Sequence, residues 1–170
     1  DGIAKYLNTG ETEIFTKGKF LFGYYQGYRE IATEETVFLV EGNPDAIRLH
    51  QIGKRNTVAP LGTALTIDQI HELQRRAQTV VIVGDTDDAG VKAVEKNGRL
   101  LLQNGLNVRV MVLPEGKDPD EYFQTRQHEF AECYANNTYD FIPWIAEKQL
   151  NGLTSQAEIS KAIKEVAGLI

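Results

Sequence analysis

Thr79-Val80-Val81-Ile82-Val83-Gly84-Asp85-Thr86-Asp87-Asp88 decides how this chain folds. Five consecutive β-branched residues run straight into a glycine and a cluster of carboxylates. A short apolar run without alternation fits a strand buried on both faces, as in a parallel sheet. Upstream, Val37-Phe38-Leu39-Val40 runs into Glu41-Gly42; downstream, Val108 to Leu113 runs into Pro114-Glu115-Gly116-Lys117-Asp118-Pro119-Asp120. Thr57-Val58-Ala59 is a shorter fourth strand candidate. In an open parallel sheet, sites form outside the carboxyl ends of the strands. The pattern therefore predicts that Glu41, Asp85, Asp87, Asp118 and Asp120 converge on one edge. Such carboxylates repel one another unless cations compensate them, and oxygen-only ligands suit Mg²⁺ or Mn²⁺.

Helix-like segments separate these strands. Asn43 reads as an N-cap with Pro44 at the first helical position. Thr66 and Gln69 have capping-box spacing, and Ile67, Ile70, Leu73 and Ala77 then share one face. Val91, Val94, Gly98 and Leu101 recur at helical spacing before Gly105 closes the helix. Alternating strands and helices predict an α/β domain with a mainly parallel four-stranded sheet flanked by helices. Residues 1–17 read as an irregular arm, and Gly18 to Ile31 as an aromatic-rich helix weakened by Gly23 and Gly27. After about Asp120 no strand signal returns, and three helices are expected. The predicted division is an N-terminal arm with the end of a preceding subdomain at 1–35, the α/β domain at 36–122 and a small helical subdomain, expected to be incomplete, at 123–170.

Composition narrows the function. The net charge of −6 argues against gripping nucleic acid by bulk positive charge, but not against metal-dependent chemistry on it. No stretch approaches the roughly 20 apolar residues of a membrane span, and the first residues lack a signal-peptide pattern. The single cysteine, Cys133, excludes an internal disulfide and fits a reducing cytoplasm; its helix-like surroundings fit a packed thiol. His50, His71 and His128 show no ligand spacing, and neither a P-loop nor a GxSxG elbow occurs.

Single residues leave alternatives open. Asp85 and Asp87, two apart at a strand end, point the same way and can reach one cation or two neighbouring ones. Glu41 fits a surface strand end, a general base or a metal ligand. Asp45 fits a helix-dipole partner or a ligand, and Asp118-Pro119-Asp120 fits a helix cap or a metal role. Lys17 and Lys92 are candidates to meet phosphates, Lys92 because it lies one turn into the helix after Asp88.

In this order and spacing the motifs resemble a known family. Glu41-Gly42-Asn43-Pro44-Asp45-Ala46 resembles the glutamate motif of TOPRIM domains, and Asp85-Thr86-Asp87-Asp88-Ala89-Gly90 resembles their DxD motif. Lys5 to Thr12, Ile14 to Lys19, Leu61 to Thr66 and Leu113 to Glu121 are similar to stretches of the bacterial DnaG-type primases. Asn43-Pro44 and Thr86 depart from the aromatic-plus-Met pair and the glycine usual there.

The resemblance implies a Rossmann-like TOPRIM domain that joins ribonucleotides into RNA primers on single-stranded DNA during replication. It assigns Glu41 the acid/base or metal-linked role. It assigns Asp85 and Asp87, with Asp118 and Asp120, to Mg²⁺, and Lys17 to nucleotide or template. The implied partners are template DNA, RNA primer and ribonucleoside triphosphates, with a replicative helicase met through regions outside this chain. The family's zinc site and most of its basic N-terminal subdomain have no counterpart here, so the chain alone is expected to prime weakly or not at all. A TOPRIM nuclease or topoisomerase, or a non-catalytic nucleic-acid-binding module, is the alternative.

Overall fold

The computed structural model describes residues 10–62, 64–84 and 88–169. The apolar runs form the centre of a six-stranded sheet. Its strands are β1 (Leu21–Phe22), β2 (Thr36–Leu39), β3 (Thr57–Pro60), β4 (Thr79–Gly84), β5 (Asn107–Val112) and β6 (Thr138–Asp140), in the order β1-β3-β2-β4-β5-β6. The inner four are parallel, with Val37 opposite Val80 and Val80 opposite Val108.

The expected four-stranded sheet is thus the core of a mixed one. Both added edges are antiparallel: Leu21 and Phe22 pair with Pro60 and Ala59, and Thr138–Asp140 pairs with Met111–Arg109. The expected helix from Gly18 to Ile31 is instead a 3₁₀ turn (Lys17–Lys19), β1 and then α1 (Tyr24–Glu34). Gly23 breaks it: at φ 81 it turns the chain left-handed, and a Cβ there would sit 2.6 Å from the Thr57 carbonyl. The expectation of no strand beyond Asp120 fails at β6. That strand is too short to carry an apolar pattern and exists only because β5 offers it an edge.

Helices cover both faces. On one face α1, α3 (Ile67–Gln74), α4 (Asp88–Gln103) and α7 (Phe141–Leu150) bring Ile31, Ile70, Leu73, Leu101, Phe141 and Ile145 against Val37, Leu39, Val80, Ile82 and Val110. On the other, α2 (Asn43–Gln51), α5 (Pro119–Phe123) and α6 (Phe130–Asn137) cover Phe38, Val40, Val81, Val83 and Met111 with Leu49, Phe123 and Phe130. Two-sided burial is the physical reason the strands read as unbroken apolar runs. Phe38 meets Phe130 edge-on at 5.4 Å, and buried Cys133 belongs to the same cluster. The last helix, α8 (Gln156–Ala167), packs on α7. No described helix is long and apolar enough to cross a membrane.

Candidate functional site: the acidic edge of the parallel strands

The loops after β2 and β5 meet beside the end of β4. Glu41, Gly42, Asp45, Val83, Asp118 and Pro119 line a cavity of about 300 Å³. Val83 is the next-to-last residue of β4, so the strand leading to Asp85 forms part of the wall. Asp85 and Asp87 lie outside the described residues. Glu41, exposed at the strand end, also borders a second cavity of about 260 Å³ with Gly84, Gly90, Lys96 and Asn97.

Asp45 is the buried acid of this edge, at 8% exposure. The helix starts one residue earlier than Asn43-Pro44 suggests. Gly42 is the N-cap, and Asp45 Oδ2 accepts its backbone N–H at 3.1 Å. Asp45 Oδ1 accepts the backbone N–H of Asp120 at 3.2 Å. One carboxylate therefore ties the Glu41 loop to α5. Burial pushes its pKa up to about 6. The backbone N–H of Asp120 opposes that rise, the charge of Asp118 adds to it, and Gly42 and Asp120 contribute less, in opposite directions.

Three further acids near the edge, Asp118, Asp120 and Glu115, are already engaged. Asp118 caps α5, accepting the Glu121 N–H at 2.7 Å, and remains exposed. Asp120 Oδ1 receives both Nε and Nη2 of Arg48 at 2.9 Å. Between β5 and α5, Glu115 pairs with Lys117 at 2.8 Å and Arg126 at 3.0 Å. The Lys117 hydrogen bond and the Arg126 charge hold the Glu115 carboxyl below its usual range.

Lys17 and Lys92 line neither cavity. Lys92 is exposed on α4, while Lys96, one turn further, reaches the second cavity. Lys17 sits in the 3₁₀ turn, which α3 pins from below. Thr66 and Gln69 make the expected capping box. The fully buried Gln69 then spends its Nε2 protons on the carbonyls of Lys17, at 3.2 Å, and Phe20, at 2.7 Å. Asp45, Arg48, Gln69 and Lys96 are the residues whose part sequence reasoning missed. The i,i+3 step from Asp45 to Arg48 and the i,i+4 step from Lys92 to Lys96 were the available signals.

Among the described residues, no group of three or more His, Cys, Asp or Glu side chains is placed to hold a metal ion. Glu41, Asp45 and Asp118 line one cavity without standing close enough to hold an ion by themselves; all three are carboxylates, the donor type that a hard divalent cation takes.

Comparison with known proteins agrees with this geometry. The family model described as Toprim-like matches residues 38–123, half of the chain. A DNA primase of Halalkalibacterium halodurans is 44% identical over 124 residues, covering 73% of this chain and 21% of that protein. The crystal structure of the zinc-binding and RNA polymerase domains of Aquifex aeolicus primase superposes with a TM-score of 0.83 at 36% identity. It covers 100% of this chain and 41% of that one. A DnaG primase catalytic domain bound to single-stranded DNA superposes with a TM-score of 0.84 at 28% identity, covering 99% and 56%. The chain thus spans about a fifth of the length of the curated relative. By its matched residues, its strand order and its acidic edge, this chain belongs to the Toprim-like family and is similar within it to DnaG-type primase catalytic cores.

Proposed function

We propose that this chain carries the metal-dependent chemistry of a DNA primase: nucleotidyl transfer that joins ribonucleotides into short RNA primers on single-stranded DNA. The observation that carries this reading is the convergence of Glu41, Asp45 and Asp118 on one cavity beside the end of β4, whose next residues in sequence are Asp85-Thr86-Asp87. The primase relatives, one of them bound to single-stranded DNA, support the substrate class.

Glu41, Asp85, Asp87, Asp118 and Asp120 would hold Mg²⁺, with Mn²⁺ as a substitute. Ions bound there supply charge neutralisation on a triphosphate and a more acidic attacking hydroxyl. The chain's own residues do the rest. Glu41, exposed at the cavity mouth, takes the hydroxyl proton. Asp45 fixes the backbone on both sides of the cavity, and Arg48 offsets the charge of Asp120. Lys17, Lys92 and Lys96 meet phosphates. Residues 36–122 form the metal-bearing unit, and residues 123–170 a helical subdomain that lends β6 to its sheet. The template, primer and ribonucleotides are the partners of this chemistry. A replicative helicase is met through regions this chain does not carry, in the cytoplasm.

The test is calorimetric Mn²⁺ titration of the wild-type chain and of an Asp85→Ala/Asp87→Ala variant, with and without a ribonucleoside triphosphate. Saturable binding lost in the variant is expected, followed by metal-dependent primer synthesis on single-stranded DNA by an active assembly containing this chain. No binding at millimolar Mn²⁺ in either condition would overturn the reading.

A further inference from the structure

The furrow between α1 and α3 carries chemistry that the acidic edge does not use. Lys19, Phe20, Tyr24, Tyr25, Tyr28 and Arg76 line an open cavity of about 560 Å³. Ligand sites commonly run to about 300–1,000 Å³. Two of its rings stand in water: Tyr25 is 83% exposed and Phe20 46%. Among the described residues only Tyr139 is a comparably exposed large aromatic. The rings form two pairs, with Phe15 stacked on Phe20 at 5.6 Å and Tyr25 6.2 Å from Tyr28.

Cations frame the tyrosine pair. The guanidinium groups of Arg76 and Arg29 lie 5.3 and 5.6 Å from the Tyr28 ring centre. Among the described residues, Lys19, Arg29 and Arg76 form no ion pair. The acid of the furrow, Glu72, is held by Arg75 at 3.2 Å, and Glu30 stands near Arg29 without bonding it. A chain of net charge −6 has therefore gathered uncompensated positive charge around exposed aromatic rings. Lys19 also ends the turn that begins at Lys17, which Gln69 fastens to α3. The furrow thus continues directly from the Lys17 turn.

We propose that this furrow binds single-stranded nucleic acid, with bases stacked on Tyr25 and Phe20 and phosphates met by Lys19, Arg29 and Arg76. Aromatic platforms in a basic groove hold single strands without regard to sequence, because every base has a π-face and a duplex hides it. The cations would attract any acidic surface; the exposed rings of Tyr25 and Phe20, which can stack bases, select a single strand among such partners. The choice of a nucleic-acid strand over other anionic aromatic ligands rests on the primase reading above.

The experiment is fluorescence anisotropy of a labelled oligothymidylate of about 12 nucleotides, within the usual span of such sites. The full chain is used in EDTA, so that no divalent ion engages the acidic edge. Tyr25 is mostly solvated, so Tyr25→Ala leaves the fold intact, and thermal melting checks this. Tyr25→Ala weakens binding about fivefold or more, the loss expected from one base–aromatic stack, and Tyr25→Trp restores it. Arg76→Gln lowers the salt dependence of log affinity by about 0.7. Equal affinity of wild type and Tyr25→Ala overturns the proposal, as does absence of binding by the wild type. Sedimentation velocity covers another occupant: a self-associated wild type that Tyr25→Ala dissociates, with oligonucleotide affinity unchanged, also overturns it. Mn²⁺ titration of the same variants separates the two readings. Intact Mn²⁺ binding without any Tyr25 effect sinks the furrow alone. Strand binding through Tyr25 in a chain that takes no Mn²⁺ sinks the primase chemistry alone.

Discussion

Asp45 makes the metal-free protein lose stability as pH rises through the mildly acidic range. Its folded pKa of about 6 lies above the roughly 3.8 expected of the unfolded chain. Below pH 3.8 both states hold the proton and the group contributes nothing. Between about pH 4 and 6 the unfolded chain releases it while the fold still retains it. The native state then binds more protons, so unfolding free energy falls with rising pH and levels off above about 6. A shift of this size corresponds to about 3 kcal/mol if realised in full, and to about 1–2 kcal/mol once solvent screening of a partly hydrated carboxylate is allowed for. Asp45→Asn removes the titration. It also loses one acceptor to the Gly42 or Asp120 N–H, so its absolute stability is not diagnostic. The diagnostic quantity is the difference between wild type and variant in urea denaturation at several pH values from 4 to 7.5, in EDTA. That difference moves against the wild type by about 1–2 kcal/mol between pH 4 and 6.5. Parallel pH profiles for the two proteins refute the reasoning. A divalent ion at the edge favours the carboxylate, so excess Mg²⁺ flattens the wild-type slope.

Three further outcomes follow from packing and pairing. A Cβ on Gly98 would run into the ring of Phe141, which is 1% exposed, with 2.5 Å to Cζ; Gly98→Ala costs about 1–2 kcal/mol despite its better helix propensity. At this chain length that is a fall of about 2–8 °C in Tm, and an unchanged Tm contradicts the packing. In a double-mutant cycle, Arg48→Met and Asp120→Asn couple by about 1–2 kcal/mol, because the arginine is largely buried; a coupling below about 0.3 kcal/mol dissolves the bridge. Gln69→Leu strands the carbonyls of Lys17 and Phe20 and costs about 2–4 kcal/mol in urea denaturation, whereas a cost under about 0.5 kcal/mol means that the turn is held otherwise.

The parallel strands and their caps were legible because both are written locally. A strand buried on two faces needs an apolar run, and each of the four predicted runs lies within a residue of its strand. The Thr66/Gln69 box was legible because its partners are three residues apart. Glycine and strand-end acids located the edge where Glu41 and Asp118 meet.

Tertiary structure decided what depends on distant partners. β1 and β6, two and three residues long, have no period to read and form only against the open edges of β3 and β5. Asp45 looks like any first-turn acid until folding sets it against the Asp120 N–H, 75 residues away, and removes it from water. Asp120 resembles a free ligand until Arg48 reaches it. Gln69 became a brace for the Lys17 turn only across 52 residues, and the aromatic furrow needed two helices side by side. By itself the sequence determined the four central parallel strands and the edge that collects the acids, because nearest-neighbour patterning governs both. The three-dimensional fold alone decided how each acid is charged and held, because desolvation and long-range hydrogen bonds exist only once the chain has closed on itself.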